Sequence, residues 1–190
     1  MIDAALKFVS DQAGAHLRRR LGMDAAPAID VGPLVDDKGT WLQPRNTLRL
    51  TLFQIDEERA LRDPLPTHTI VSNRDVVLPP RLRLNLVVVL AAHFQHYDVG
   101  LRCLSMVLAL FQARPLYTPS DAPSMPSGLE RLSLELVSYG PEQLNHLWAC
   151  IGGKQLPAVV YRLRLVDLQE VEPVVAGPPI VSIDTRVGGR

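Results

Sequence analysis

The chain has 190 residues, 47% of them hydrophobic and 21% charged, enough to bury one domain core and too apolar to be disordered by composition. Twenty basic residues balance twenty acidic ones, which weighs against a nucleic-acid or anionic-membrane binder, since those carry a basic excess. The longest apolar run, residues 86–92, is far below the ~20 residues that cross a bilayer, so no direct membrane insertion is expected.

Ile2, Ala5, Leu6, Val9, Ala13, Leu17 and Leu21 recur at three and four, which predicts an amphipathic helix over 2–21, closed by Gly22. Asp3 and Lys7 within that pattern are unlike a secretory leader, so synthesis in the cytoplasm is expected. Arg18, Arg19 and Arg20 crowd the last turn. They either complement the negative end of the helix or dock on an acidic partner. Residues 28–35 read as a short strand demoted to an edge by Gly32 and Pro33, and residues 36–39 as a turn. Residues 47–56 alternate, with Leu48, Leu50 and Leu52 on one face; Phe53 and Ile55 are expected on the other, under a helix. Residues 57–80 are charged, broken by four prolines and without periodicity, the signature of a binding loop.

Residues 81–91 form the clearest strand, with Leu82, Leu84, Leu86, Val88 and Leu90 against Arg81, Arg83 and Asn85. Asp98 is placed to cap a helix over 98–113 whose Leu101, Leu104, Val107, Leu108 and Phe111 face the core. Met106 and Leu110 make that helix apolar on a second side, a candidate subunit contact. A second proline-rich loop covers 115–128, and a strand over 130–138 turns Leu132, Leu134 and Leu136 inward. From Gly140 the chain reads as a short helix with Pro141 in its first turn, the face Leu144, Leu147, Trp148 and Ile151, and a Gly152-Gly153 stop. After Pro157 the period becomes two: Val159, Tyr161, Leu163 and Leu165 point one way, Arg162 and Arg164 the other.

The expected fold is α+β: a mixed, mostly antiparallel sheet of four to six strands packed with three helices. Residues 1–171 make the domain and 172–190 an extended C-terminal arm. In that arm Pro178-Pro179 precede Ile180-Val-Ser-Ile183. This short strand could add to an exposed sheet edge, with Ile180, Val181 and Ile183 as contacts.

The search for chemistry returns nothing. His93 and His96 have a spacing that metal pairs use, but no second cluster supplies the three or four ligands zinc wants. His16 and His146 read as edge histidines, and Glu57-Glu58 as a charged loop balanced by Arg59 and Arg62. Gly152-Gly153 stops a helix rather than opening one, so it is no phosphate loop. Cys103 and Cys150 are expected as buried free thiols. No catalytic set, cofactor or metal is expected.

Several segments carry a family resemblance: Met1-Ile-Asp-Ala-Ala-Leu-Lys-Phe8, Pro80-Arg-Leu-Arg-Leu-Asn-Leu86, Phe111-Gln-Ala-Arg-Pro-Leu-Tyr-Thr-Pro119, Leu144-Asn-His-Leu-Trp148 and Leu156-Pro-Ala-Val-Val-Tyr161. In that order they resemble the cap, or tail-terminator, proteins of phage-tail-like contractile injection systems of the Photorhabdus virulence cassette and antifeeding prophage type. Residues 22–45 depart from the pattern, and many relatives continue well past residue 190. The resemblance implies a structural protein, not an enzyme. It would form a homohexameric ring that closes the inner tube, contact the last sheath ring, and belong to a particle released from the cell or retained. Its partners would be itself, the tube protein and the sheath protein, without nucleic acid. Arg81, Arg83, Arg162 and Arg164 are candidate polar members of the patch such a ring repeats, or ordinary outward residues of half-exposed strands. The rival reading is an adaptor or chaperone for particle assembly or cargo.

Overall fold

The computed structural model describes the backbone of residues 1–58, 67–71, 74–78, 82–168 and 174–175, and the side chains of residues 1–58 and 82–164. In chain order the elements are α1 (Ile2–Leu21), β1 (Ile29–Val31), β2 (Thr47–Glu57), β3 (Thr67–Val71), β4 (Arg74–Leu78), β5 (Leu82–His93), α2 (Tyr97–Ala113), β6 (Leu116–Tyr117), β7 (Leu132–Val137), α3 (Pro141–Ile151), β8 (Ala158–Leu168) and β9 (Val174–Val175).

β5 is apolar on both faces because it is covered on both. It sits inside a six-stranded sheet ordered β1-β2-β5-β8-β7-β6, antiparallel except for the parallel β1–β2 edge. Leu84, Leu86, Val88, Leu90 and Ala92 of β5 join a first core with α1, α2, Leu48 and Leu50 of β2, and Tyr161 and Leu163 of β8. Val87, Val89 and Ala91 join a second core with Leu34, Val160 and the Leu147 and Trp148 of α3, edged by Val35 and Trp41. The result is three layers: α1 and α2, the sheet, then α3 with the segment around Leu34–Trp41. The α+β expectation holds, with six strands in the main sheet and three helices among the described residues.

β1 is short because side chains take its continuation. Thr51 Oγ1 donates to the Gly32 carbonyl at 2.7 Å, and Arg49 Nη1 to the Pro33 carbonyl at 2.7 Å.

The structure departs from the sequence expectations in several places. Residues 57–80 hold the antiparallel β3–β4 hairpin, registered Thr67↔Leu78 to Val71↔Arg74, instead of an aperiodic loop. β9 adds to β4 through Val76↔Val175 and Val77↔Val174, making a three-stranded sheet. Two residues of the expected arm therefore pair with β4 of their own chain. A bulge between Leu52 and Gln54 leaves Phe53 against the second core. Beyond it Ile55 stands opposite Leu86, back on the first face, at a sheet end where it is 48% exposed. Leu136 is 51% exposed rather than inward. The cap of α2 is His96, in an extended conformation, and Asp98 lies inside the first turn. There its carboxylate still favours the positive helix end. Residues 115–129 form a lid, not a free loop: Tyr117, Ala122, Met125 and Leu129 are all in the first core. Cys103 is buried but Cys150 is exposed on α3.

Candidate interaction surfaces

The α3 unit folds as its residues dictate. Gly140 is the extended cap residue, Pro141 opens the helix, and Gln143 Oε1 accepts the Gly140 N–H at 3.1 Å. At the other end Gly152 adopts the left-handed φ 80, ψ 12, which glycine reaches without a Cβ clash. Its N–H donates to the Trp148 and Ala149 carbonyls at 3.0 and 3.2 Å. Gly153 is required for a different reason. A Cβ there would lie 3.0 Å from the Trp41 ring and 3.1 Å from Val35.

Arginines gather in two places. Arg18, Arg19 and Arg20 are exposed at the last turn of α1 and form no ion pair among the described residues. The Arg18 guanidinium folds back over Gly14, with Nη1 3.3 Å from where a Cβ would sit. Burial, followed by the charges of Arg20 and Arg19, holds the His16 pKa below its usual value. Arg83, Arg162 and Arg164 lie on the sheet face that carries the second core: Arg162 stands between Val87 and Glu135, and Arg83 opposite Asp167. Arg164 is engaged within the sheet, its Nη2 2.7 Å and its Nε 2.8 Å from Glu135 Oε2. Arg81, Ile180, Val181 and Ile183 lie outside the described residues.

Sequence reasoning missed a concave feature of the surface. A cleft of about 480 Å³ runs between α2 and α3 over the start of β8, lined by Tyr97, Leu101, Leu104, Ser105, Leu108, Leu144, Leu147, Trp148 and residues 155–160. The second apolar side of α2 is this Tyr97–Leu101–Leu108 stripe. Met106 and Leu110 pack against the first core, as Leu108 also does. β7 pairs with β8 only as far as Val137↔Val160, whereas β5 continues along β8 to Ala158. Ala158 and Val159 thus have a strand on one side only, inside the cleft.

No group is poised for acid–base work in this cleft. Elsewhere, burial alone pushes the Tyr161 phenol up to about 12, and burial is the main cause that raises Tyr117. His93 Nδ1 lies 2.9 Å from the Gln43 carbonyl oxygen and its ring leans on Trp41. Among the described residues no group of three or more His, Cys, Asp or Glu could hold a metal, and no helix is long and apolar enough to cross a membrane.

A family model described as the Pvc16 N-terminal domain matches residues 14–182. The chain belongs to that family. Among solved structures, the family fold is similar to a cryo-EM structure of the PVC sheath/tube terminator of an extracellular contractile injection system in its extended state. The TM-score is 0.66 at 16% identity, over 96% of this chain and 62% of that one. It is also similar to the tube-terminating cap of the anti-feeding prophage, with a TM-score of 0.57 at 15% identity, over 94% of this chain and 60% of that one. This member of the family therefore spans less than two thirds of the length of either chain. No curated protein matches.

Proposed function

We propose that this chain is a subunit of the cap that terminates the inner tube of a contractile injection system. The observation that carries the reading is the family match over residues 14–182, and the fold likeness to a sheath/tube terminator and to a tube-terminating cap supports it. In this reading the cap is a homohexameric ring. One face meets the last tube ring, its outer surface meets the last sheath ring, and the subunit performs no catalysis. It is made in the cytoplasm and leaves the cell only as part of a particle. The polar arginine row of Arg83, Arg162 and Arg164 and the basic end of α1, Arg18 to Arg20, are on different layers, so they serve different contacts. A closed ring needs one heterologous contact repeated around the axis, and the two-sided burial of β5 supplies a rigid frame for presenting both flanks.

Deleting the gene in the producing strain and imaging the particles tests this. Particles without the chain should have tubes of uncontrolled length or lack a closed end. Particles of normal length with an intact end would overturn the reading.

A further inference from the structure

We propose that copies of this chain join edge to edge, β7 of one antiparallel beside β2 of the next, with Leu134 opposite Ile55 and Leu136 opposite Leu52. Each of these strands has a stretch of edge that no other strand covers among the described residues. β6 covers β7 only at Leu132 and Ser133, and β1 covers β2 only from Leu48 to Leu50. Both open stretches turn backbone groups outward. The Leu134 N–H donates to the Pro115 carbonyl at 2.8 Å, away from β8, so by alternation Leu136 presents its N–H and C=O on that side too. On β2, Leu50 accepts from Gly32 on the β1 side, and Glu58 donates to Arg83 on the β5 side. Alternation from these two points, one on each side of the bulge, turns Leu52 and Ile55 outward. Neither stretch, Leu52–Asp56 or Leu134–Val137, carries the lysine or proline that commonly blunts a natural edge.

The complement of each edge lies on a second copy. β5 and β8 stand between β2 and β7, which holds the two open edges roughly 14 Å apart at ~4.8 Å per strand, so they cannot pair within one chain. Their heights across the sheet match. Leu134 is registered in turn with Leu163, Leu86 and Ile55, and Leu136 with Tyr161, Val88 and Leu52. All three steps are antiparallel, so β7 meets β2 of a neighbour in the same orientation as one more antiparallel pair. The register is bounded on both sides. Sliding β7 by one pair in one direction sets Glu135 against Asp56, two carboxylates face to face. Sliding it the other way sets Leu136 against Leu50, whose edge β1 already holds. In the matched register Leu136 and Ile55, 51% and 48% exposed, become diagonal neighbours on the first-core face and shield each other. Gln54 then faces Glu135 on the opposite face. Every copy uses two different edges, so the contact is heterologous, the type that closes rings. The inference rests on the cap reading for the existence of a ring and names what joins its subunits.

Two full-length, differently tagged chains in a Cys150→Ser background test it, one carrying Gln54→Cys and the other Glu135→Cys. The two positions form a directly opposed, non-hydrogen-bonded pair with Cα atoms ~4.5 Å apart, within reach of a disulfide. On mild oxidation they should link on the order of tenfold faster than a control pairing Asp11→Cys with Glu135→Cys. Leu136→Pro removes the outward N–H of one edge, and Ile55→Lys sets a charge on the other. Either change should return the rate to that of the control while the far-UV circular dichroism stays as it was. A mixed-pair rate equal to the control would overturn the proposal. So would two Glu135→Cys chains linking as fast as the mixed pair, since like edges would then be meeting. A ring by light scattering without the 54–135 link rejects this contact and leaves the cap reading standing. A link in a chain absent from purified particles supports the contact and removes the cap.

Discussion

Gly153→Ala should destabilise the α3 unit by crowding, although the substitution adds a single methyl. The new Cβ would stand 3.0 and 3.2 Å from Cη2 and Cζ2 of Trp41 and 3.1 Å from Cγ1 of Val35. Both neighbours are poor at yielding. The indole and the β-branched valine are tied together by the Val35↔Trp41 bridge and flank the buried Leu34. Overpacking of this kind costs about 1–3 kcal/mol. At the ~2–4 °C per kcal/mol expected for a domain of this size, the midpoint of thermal unfolding should fall by about 2–12 °C. Gly152→Ala separates the causes: its nearest foreign atom would be 3.9 Å away, so its cost is left-handed strain of about 1–2 kcal/mol. Asn at 152 should recover part of that loss, but Asn at 153 should not. In a Val35→Ala background the added methyl gains room, so the cost of Gly153→Ala should shrink, with a coupling on the order of 1 kcal/mol. Circular dichroism melts of the five single variants and the double variant provide the readout. An unchanged midpoint for Gly153→Ala, or an equal loss with and without Val35, would refute the packing argument.

Leu134→Ala should cost about 2–5 kcal/mol in urea titration, while Leu136→Ala, half exposed two residues on, should stay within about 0.5 kcal/mol; equal losses would mean that the β7 register is wrong. The Arg164–Glu135 pair is 41% and 50% exposed at its side chains, so a double-mutant cycle should give a coupling of about 0.2–1 kcal/mol that fades with salt. Asp121 is held below its usual pKa of 3.8, first by the Thr118 backbone N–H and with help from Arg114. Its charge should therefore stabilise the fold above the ordinary carboxylate range, with the advantage lost as pH falls through the depressed value. The melting difference between wild type and Asp121→Asn should accordingly vanish in acid and persist at neutral pH. A thiol reagent should modify Cys150 in the native protein and Cys103 only after unfolding, because Cys103 is buried and its thiol pKa is raised by that burial; two fast thiols would contradict the placement of α2.

The parts legible in the sequence were those where one periodicity persists. α1 ends where Gly22 interrupts its pattern, and the β8 core residues Val159, Tyr161 and Leu163 are the alternation read after Pro157. β5 could be recognised as doubly covered because Val87 and Val89 break its alternation. Failures came where a local event resets the period or where exposure is decided at a distance. One inserted residue near Phe53 returns Ile55 to the first face, which no alternation count can reveal. Leu136 continues the pattern of Leu132 and Leu134 but extends past the layer that covers them. The hairpin was hidden because β3 and β4 are five residues each, separated by two residues and flanked by prolines. The cleft left a clue, the apolarity of α2 all round. Which of its apolar residues line the cleft, Tyr97, Leu101 and Leu108 among them, required knowing where α3 lies.

The most direct test of the cap reading is the position of the chain on an intact particle. A gold-binding tag inserted in the exposed turn at residues 37–38 can be imaged on purified particles and its copy number counted against the tube protein. The account predicts label at one end only, opposite the baseplate, at six copies. Label along the sheath, at the baseplate, or absent from the particles would contradict it.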